Sequence, residues 1–282
     1  SGLFHDKNGK YITKQPEYET LWSHGGYCGI HDLDAIARMD RLDDDLGLDT
    51  IEMGCTIGVL MQAGELEWGD SEGALAVIEE IGKGTDKGRL FGSGTAAVAR
   101  HYGVERAPVV KGQAMAAYDP RALKGLGVTY ATSPQGADHT AGQTLANHLH
   151  KADPKVDALA TENQWLASAV GQIASAAFDA TGYCLFVAFA TMDRPEALKY
   201  LLDSMTTFTG TNWNENNFPA LGIRVLRMEL DFNRRAGFTA ADDKLPEWMM
   251  KEPLPPHNSV FDVPAEDLAM AQDHIGVLLT ML

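Results

Sequence analysis

Apolar residues recur at helical spacing in one stretch of this chain after another, and most of those stretches stop at a glycine, the pattern of amphipathic helices ended by left-handed caps. Over 31–43 the apolar positions are Leu33, Ile36, Ala37 and Leu42, with Asp32 or Asp34 suited to the helix start and Gly47 to its end. Residues 50–63 form a second, Met- and Ile-rich run. Ser71 precedes a third over 72–82, closed by Gly82-Lys83-Gly84, and a fourth over 93–102 closes at Gly103. Then comes Arg106-Ala107-Pro108, where a proline after a glycine-ended helix marks a boundary. Beyond it, 157–178 places Trp165, Leu166, Ala169, Val170, Ile173, Ala176 and Ala177 on one broad face. Pro195 opens another helix carrying Leu198, Leu201, Leu202 and Met205, and 219–236 carries Leu221, Val225, Met228 and Phe232 up to Gly237.

The β signals are brief. Residues 1–26 read as turns and short strands with Asn8-Gly9 as a hairpin tip, and Val109-Val110 and Val128-Thr129-Tyr130 are short β-like pieces. There is no βαβ alternation, no repeat of roughly 20 to 50 residues and no heptad pattern. The predicted fold is mainly all-α and multihelical, in two helical domains, 1–108 and 109–282, with minor short β pieces. The proline-rich stretch 246–264 reads as an ordered surface loop.

Composition narrows the function classes. Against 39 acidic residues there are only 23 Lys and Arg, a formal net charge of −16. A generic nucleic-acid binder needs a basic footprint, and so does docking on an anionic membrane. The apolar stretches 184–192 and 275–282 are about half a membrane span, and the start, Ser1-Gly2-Leu3-Phe4-His5-Asp6, lacks a basic region followed by an apolar run. A cytoplasmic location is expected. The three cysteines, Cys28, Cys55 and Cys184, form no CxxC pair, so neither a disulfide scaffold nor a self-contained zinc or iron–sulfur site fits. The apolar end, 276–282, suits either a chain cut inside a longer one or a terminal helix that docks.

Two hexapeptides carry the strongest chemical signal. Asp44-Asp45-Leu46-Gly47-Leu48-Asp49 and Asp179-Ala180-Thr181-Gly182-Tyr183-Cys184 both start with a carboxylate after a predicted helix and turn at a glycine. Glycine permits a sharp turn and a close ligand approach, and the Asp can accept hydrogen bonds from an amine-rich heterocycle such as a pterin edge. Singly, each is a helix C-cap; two copies suggest a pseudo-symmetric site. Asp40, Asp43, Asp44, Asp45 and Asp49 do not hold the EF-hand register and read as a solvated acidic helix end. Gly92-Ser93-Gly94-Thr95-Ala96-Ala97 resembles a dinucleotide loop, but no strand precedes it, so it reads as a helix start. Cys28 and His31 lack a second ligand pair, and Cys28 and Cys55 are expected to be buried free thiols. His139, after Gly136-Ala137-Asp138, is either a proton-handling group or a histidine satisfied by local backbone; His148 and His150 flank a helix end. Glu17 and Glu19 lie near aromatic residues, where partial burial suits acid–base work, or simply form a first helical turn.

Taken in order, many motifs resemble the tungsten-dependent aldehyde ferredoxin oxidoreductase family. They are Pro16-Glu17-Tyr18-Glu19-Thr20, 28–36, Gly47-Leu48-Asp49-Thr50-Ile51, Val110-Lys111-Gly112-Gln113, Asp119-Pro120-Arg121, Tyr130-Ala131-Thr132-Ser133, the 179–184 turn, Phe208-Thr209-Gly210 with Trp213, and Phe232-Asn233 with Arg235 and Gly237. The similarity covers about residues 15–250. It implies an anaerobic oxidoreductase with an N-terminal β-domain, two helical domains, and tungsten or molybdenum held by two pyranopterins. Each helical domain grips one pterin. The resemblance gives that role to Asp44, Gly47, Leu48 and Asp49 in one copy and to Asp179, Gly182, Tyr183 and Cys184 in the other. It makes Cys184 one of four thiolate ligands of a [4Fe–4S] cluster and sets Glu19 and His139 beside the metal as proton-handling groups. It implies that an aldehyde is oxidised to a carboxylic acid and that ferredoxin accepts the electrons.

The departures are specific. The family's other three cluster cysteines lie just upstream of the matching segment, and here no cysteine precedes Cys28. Tyr183 stands where the family has Leu, and an Arg-Gly-Trp-Asp-like C-terminal segment is missing. One thiolate cannot hold a cubane cluster. The expectation is therefore a fragment that lacks the β-domain and, alone, holds neither tungsten nor cluster and is inactive. Two alternatives stand beside it: part of an aromatic acyl-CoA reductase-like or other carboxylate-reducing complex, and a non-catalytic helical binding module.

Overall fold

Each helical run read from the sequence is helical over most of its length, and glycines in left-handed conformation close many of them. The computed structural model describes residues 2–280, with the side chains of residues 195 and 276–280 outside the description. It is mainly α, with fourteen α-helices and two two-stranded sheets among the described residues, in two units, Ser1–Ala117 and Tyr118–Leu282.

The first unit opens with an antiparallel hairpin, β1 (Leu3–His5) and β2 (Tyr11–Lys14). Helix α1 (Tyr18–Thr20) runs into a π-helical segment, Leu21–Gly26. Then follow α2 (Leu33–Leu46), α3 (Thr50–Gln62), α4 (Ser71–Lys83), α5 (Asp86–Phe91), α6 (Thr95–Tyr102) and a hairpin of β3 (Val109–Val110) and β4 (Gln113–Ala114). Helix α3 is the core element. Every residue from Met53 to Met61 is buried, as expected of a helix that is apolar all round, and each large side chain so buried contributes roughly 1.5–3 kcal/mol.

Two expectations change here. Residues 18–26 are helical, not turn and strand, because Thr20, Ser23, His24 and Gly25 bury against α2 and α3. The β3–β4 hairpin packs on α3 and α6, so the first unit runs to Ala117 and not only to residue 108.

The second unit contains α7 (Lys124–Thr132), a 3-10 turn (His139–Ala141), α8 (Leu145–His148) and α9 (Gln164–Thr181). After these come α10 (Val187–Asp193), α11 (Pro195–Thr209), α12 (Asn217–Ala236), a second 3-10 turn (Ala240–Asp242), α13 (Trp248–Lys251) and α14 (Ala265–Thr280). Helix α9 packs against α7, α12 and α14. Its small residues allow close approach: a Cβ at Gly222 of α12 would come within 2.0 Å of the Ile173 carbonyl oxygen.

Val128-Thr129-Tyr130 belongs to α7, not to a strand. All of α7 is buried, and Thr129 Oγ1 lies 2.8 Å from the Gly142 carbonyl oxygen and from Ser168 Oγ, so packing overrides the β preference of branched residues. Helix α9 starts at Gln164, not at 157, because the Asp157 carboxylate and carbonyl are spent on a turn that the Leu159 N–H and the Gln164 amide close. The 246–264 stretch is ordered, with Phe261 and Val263 buried. Ile275 of α14 is buried with Ala169, Ile223 and Leu226; the apolar end read from the sequence, 276–282, lies outside the described side chains.

Candidate functional site

Both hexapeptides are the last turn of a long helix followed by a left-handed glycine. In the first unit Gly47 has φ 71°, and the N–H groups of Gly47 and Leu48 both reach the Asp43 carbonyl oxygen. Asp49 then caps α3 by accepting the Glu52 N–H at 2.8 Å. In the second unit Gly182 has φ 76°, its N–H donates to the Asp179 carbonyl oxygen, and Thr181 Oγ1 accepts the Tyr183 N–H. A Cβ at Gly47 or Gly182 would meet nothing within 4 Å. Backbone conformation, not packing, calls for glycine there, and each turn lies open to an approaching group.

Around the first turn the carboxylates divide by partner. Asp44, half exposed, lies 2.6 Å from Lys14 Nζ, which also reaches Asp40 at 3.1 Å. Asp40 is buried and accepts the Thr13 hydroxyl at 2.8 Å. Asp43 is buried with Oδ2 at 2.6 Å from His24 Nε2, both side chains fully enclosed. Burial pushes the Asp43 carboxyl above its ordinary range, and the His24 bond opposes that. A solvated acidic helix end therefore describes Asp44 and Asp45, which pairs with Arg41 at 2.6 Å, but not Asp40 or Asp43. Glu19 sits in the first turn of α1 and accepts the Ala117 N–H at 3.3 Å.

In the second unit Asp179 lines a cleft of about 260 Å³ with Pro134, Gln135, Ala141, Ala176 and Glu229. Burial and the charge of Asp138 push the Asp179 carboxyl up; burial and the charge of Asp179 do the same to Glu229. An acidic cleft of this kind favours a ligand edge rich in N–H donors. His139 is on the turn that also contributes Ala141 to the cleft. Its ring stacks on Tyr118 with centroids 5.3 Å apart, and Nδ1 is 3.7 Å from Asp138 Oδ1. Asp138 is itself anchored by the N–H and hydroxyl of Thr140, both at 2.8 Å. Tyr183 bonds Ser204 at 2.7 Å through its hydroxyl, and Cys184 is an exposed free thiol.

The remaining sequence candidates resolve as structure. The start of α6 is closed from within: Glu52 Oε1 accepts the Thr95 N–H at 2.7 Å and Oε2 the Ala114 N–H at 2.9 Å. A carboxylate holds the position a phosphate takes in a dinucleotide loop. Cys28 and Cys55 are buried, and their thiols donate to the carbonyls of Ser23, Gly54 and Met115. Burial pushes the Cys28 thiol up to about 12. His31 is exposed and apart from that thiol's bonds. His148 bonds Gln164 at 3.1 Å. Among the described residues no group of three or more His, Cys, Asp or Glu side chains is arranged to hold a metal ion, and no helix is long and apolar enough to cross a membrane.

The donor set fits a pterin in each unit, with a reachable carboxylate on the last helical turn and an open glycine turn beside it. A cubane cluster is different: of the three thiols only Cys184 is accessible, so such a cluster needs partners beyond these residues. Sequence reasoning missed His24, Lys14 and Glu229. Glu229 had a signal, since it lies one turn after Val225 as an acid interrupting the apolar positions of α12.

Comparison with known proteins gives the family. Residues 3–272 match the family described as aldehyde ferredoxin oxidoreductase, domains 2 and 3. The tungsten-containing aldehyde ferredoxin oxidoreductase of Pyrococcus furiosus is 30% identical over 263 residues, covering 86% of this chain and 42% of that protein. Its counterpart in Thermococcus kodakarensis is 30% identical over 261 residues with the same coverage. A Pyrococcus furiosus aliphatic sulfonate oxidoreductase, WOR-like subunit, is 30% identical over 155 residues, covering 48% of this chain and 25% of that subunit. The chain thus spans less than half the length of these curated relatives, and it belongs to the aldehyde ferredoxin oxidoreductase family.

Proposed function

We propose that this chain provides the two cofactor-gripping helical domains of a tungsten-dependent oxidoreductase that converts aldehydes to carboxylic acids and passes the electrons to ferredoxin. The observation that carries this is the repeated construction of the two turns. Each unit ends a long helix with an aspartate followed by an open left-handed glycine, at Asp44–Gly47 and Asp179–Gly182. Family membership supports the same assignment.

Asp44 and Asp179 accept hydrogen bonds from the amine edges of two pyranopterins, and the backbones of Gly47-Leu48-Asp49 and Gly182-Tyr183-Cys184 approach the same groups. Tyr183 in place of Leu is tolerated where the backbone makes the contact. When bound, the tungsten or molybdenum bis-pyranopterin supplies oxygen-transfer and two-electron chemistry. Oxidising an aldehyde to its acid adds one oxygen from water and releases two protons with two electrons. Glu19 and His139 hold and pass those protons. The Ala117 N–H fixes one Glu19 oxygen, and the Tyr118 ring fixes the plane of the His139 imidazole. Cys184 serves as one ligand of a [4Fe–4S] cluster, completed by three thiolates from a β-domain segment of the whole enzyme. The charge of −16 does not steer an acidic ferredoxin, so ferredoxin docks on a locally basic patch or on the rest of the enzyme.

The test is anoxic turnover by the full-length protein with a panel of aldehydes and with ferredoxin or a viologen dye as acceptor. Aldehyde-dependent reduction is expected. The resemblance to a sulfonate oxidoreductase subunit favours aliphatic sulfonates as a second substrate class, and turnover of these alone would replace the aldehyde assignment. No turnover of either class by a cofactor-loaded protein would favour a non-catalytic module.

A further inference from the structure

Between Glu19 and the first cofactor turn lies an uncommon element. The backbone from Leu21 to Gly26 is π-helical, with the Tyr27 N–H bonding five residues back to the Trp22 carbonyl oxygen. Segments of this kind are rare and concentrate at functional sites. Here the buried Ser23 and His24, with Thr20 at the end of α1 just before the segment, reach toward both shoulders of the 44–49 turn. On the α2 side His24 Nε2 is 2.6 Å from Asp43 Oδ2, and the Asp43 carbonyl oxygen accepts the N–H groups that form the turn. On the α3 side Ser23 Oγ donates to the Thr50 carbonyl oxygen at 2.8 Å, and Thr20 Oγ1 lies 2.9 Å from Thr50 Oγ1. The segment also lies directly against α3. A Cβ at Gly54 would fall 2.5 Å from Ser23 backbone and side-chain atoms, and Cys28 Sγ donates to the carbonyls of both Ser23 and Gly54.

Within these few residues the helix that carries Glu19 is tied to each end of the turn that carries Asp44, Gly47 and Asp49. Simple packing does not need this. A fully buried imidazole–carboxylate pair is costly to assemble and is often replaced by apolar side chains with little loss, and here His24 Nδ1 and Asp43 Oδ1 have no hydrogen-bond partner, which adds to that cost. We propose that Thr20, Ser23 and His24 are positioning residues that fix the distance and angle between the Glu19 carboxylate and the cofactor-gripping turn. The proposal rests on the assignment of that turn to the pterin.

The test uses the full-length enzyme purified without oxygen. Ser23→Ala, His24→Gln and the exchanged pair His24→Asp/Asp43→His are compared with Ile78→Val, a stability-lowering core change on α4, which packs mainly on α2 and α5. Tungsten and pterin release are followed in native buffer beside melting temperature, kcat and KM. Ser23→Ala and His24→Gln are expected to release tungsten about tenfold faster than wild type, the size usual for supporting-shell changes. They should also lower kcat with little change in KM, while Ile78→Val retains its tungsten and the exchanged pair recovers part of the loss. Variants that lower melting temperature as Ile78→Val does, yet hold tungsten and turn over like wild type, would overturn the positioning role and leave the cofactor assignment intact. Wild-type protein that binds neither tungsten nor pterin would overturn the cofactor assignment, and the purpose of the strut with it.

Discussion

Replacing His24 by leucine leaves the Asp43 carboxylate buried without the partner that lies 2.6 Å away. Removing one member of a buried pair typically costs about 3 kcal/mol or more, so denaturant unfolding of His24→Leu should show a loss of that order. The second unit gives a pH effect of known sign. Burial raises both the Asp179 and Glu229 carboxyls in the folded state, with the charge of Asp138 adding to the first shift and that of Asp179 to the second, so the native state binds more protons than the unfolded one between the ordinary and the raised values. Stability then falls as pH rises through that window and levels above it. Glu229→Gln should raise the melting temperature at neutral pH, and the gain should shrink as pH drops into the ordinary carboxylate range. Thiol chemistry separates the cysteines: this chain, folded and with no cluster bound, should take up iodoacetamide at Cys184, while Cys28 and Cys55 react only after unfolding, because both are buried and the Cys28 thiol is pushed up to about 12. Burial of Cys28 and Cys55 was legible from residue type. The burial of Asp40 and Asp43 was not, because their partners come from β2 and the π-helical segment, far away in sequence.

At the scale of elements, caps and glycines made helix ends readable. Asp32 caps α2 through the Asp34 N–H, and Gly47, Gly84, Gly103, Gly182, Gly210 and Gly237 all end helices with positive φ. Propensity failed where burial was complete. Val128-Thr129-Tyr130 looks β-like by residue type, yet α7 is enclosed on all sides and the hydroxyls of Thr129 and Thr132 find partners inside the unit. The π-helical segment left no signal in spacing, since its extra residue per turn is fixed by contact with α3. Close helix contacts give a direct prediction. Gly222→Ala would push a methyl group into the Ile173 carbonyl, 2.0 Å away before relaxation. Overpacking of this kind costs typically 1–3 kcal/mol, measurable by thermal or denaturant unfolding of α9 and α12 together.

For the whole molecule, motif order carried more information than composition. The net charge argued against classes of partner but named none, whereas the collinear motifs pointed to the family that residues 3–272 match. The division into units after Ala117 could not be placed from Pro108, because the β3–β4 hairpin joins α3 and α6 through contacts that are distant in sequence. Each unit carries its own copy of the aspartate–glycine turn, one with Lys14 beside Asp44 and the other with Glu229 beside Asp179. The central claim is that these turns hold the cofactor. Its most direct test is the tungsten and pterin content of the full-length enzyme, purified without oxygen, for wild type, Asp44→Asn and Asp179→Asn. Stoichiometric tungsten in wild type and a loss of about tenfold or more in affinity for each variant is the predicted result. Wild-type tungsten and pterin content in both variants would contradict it.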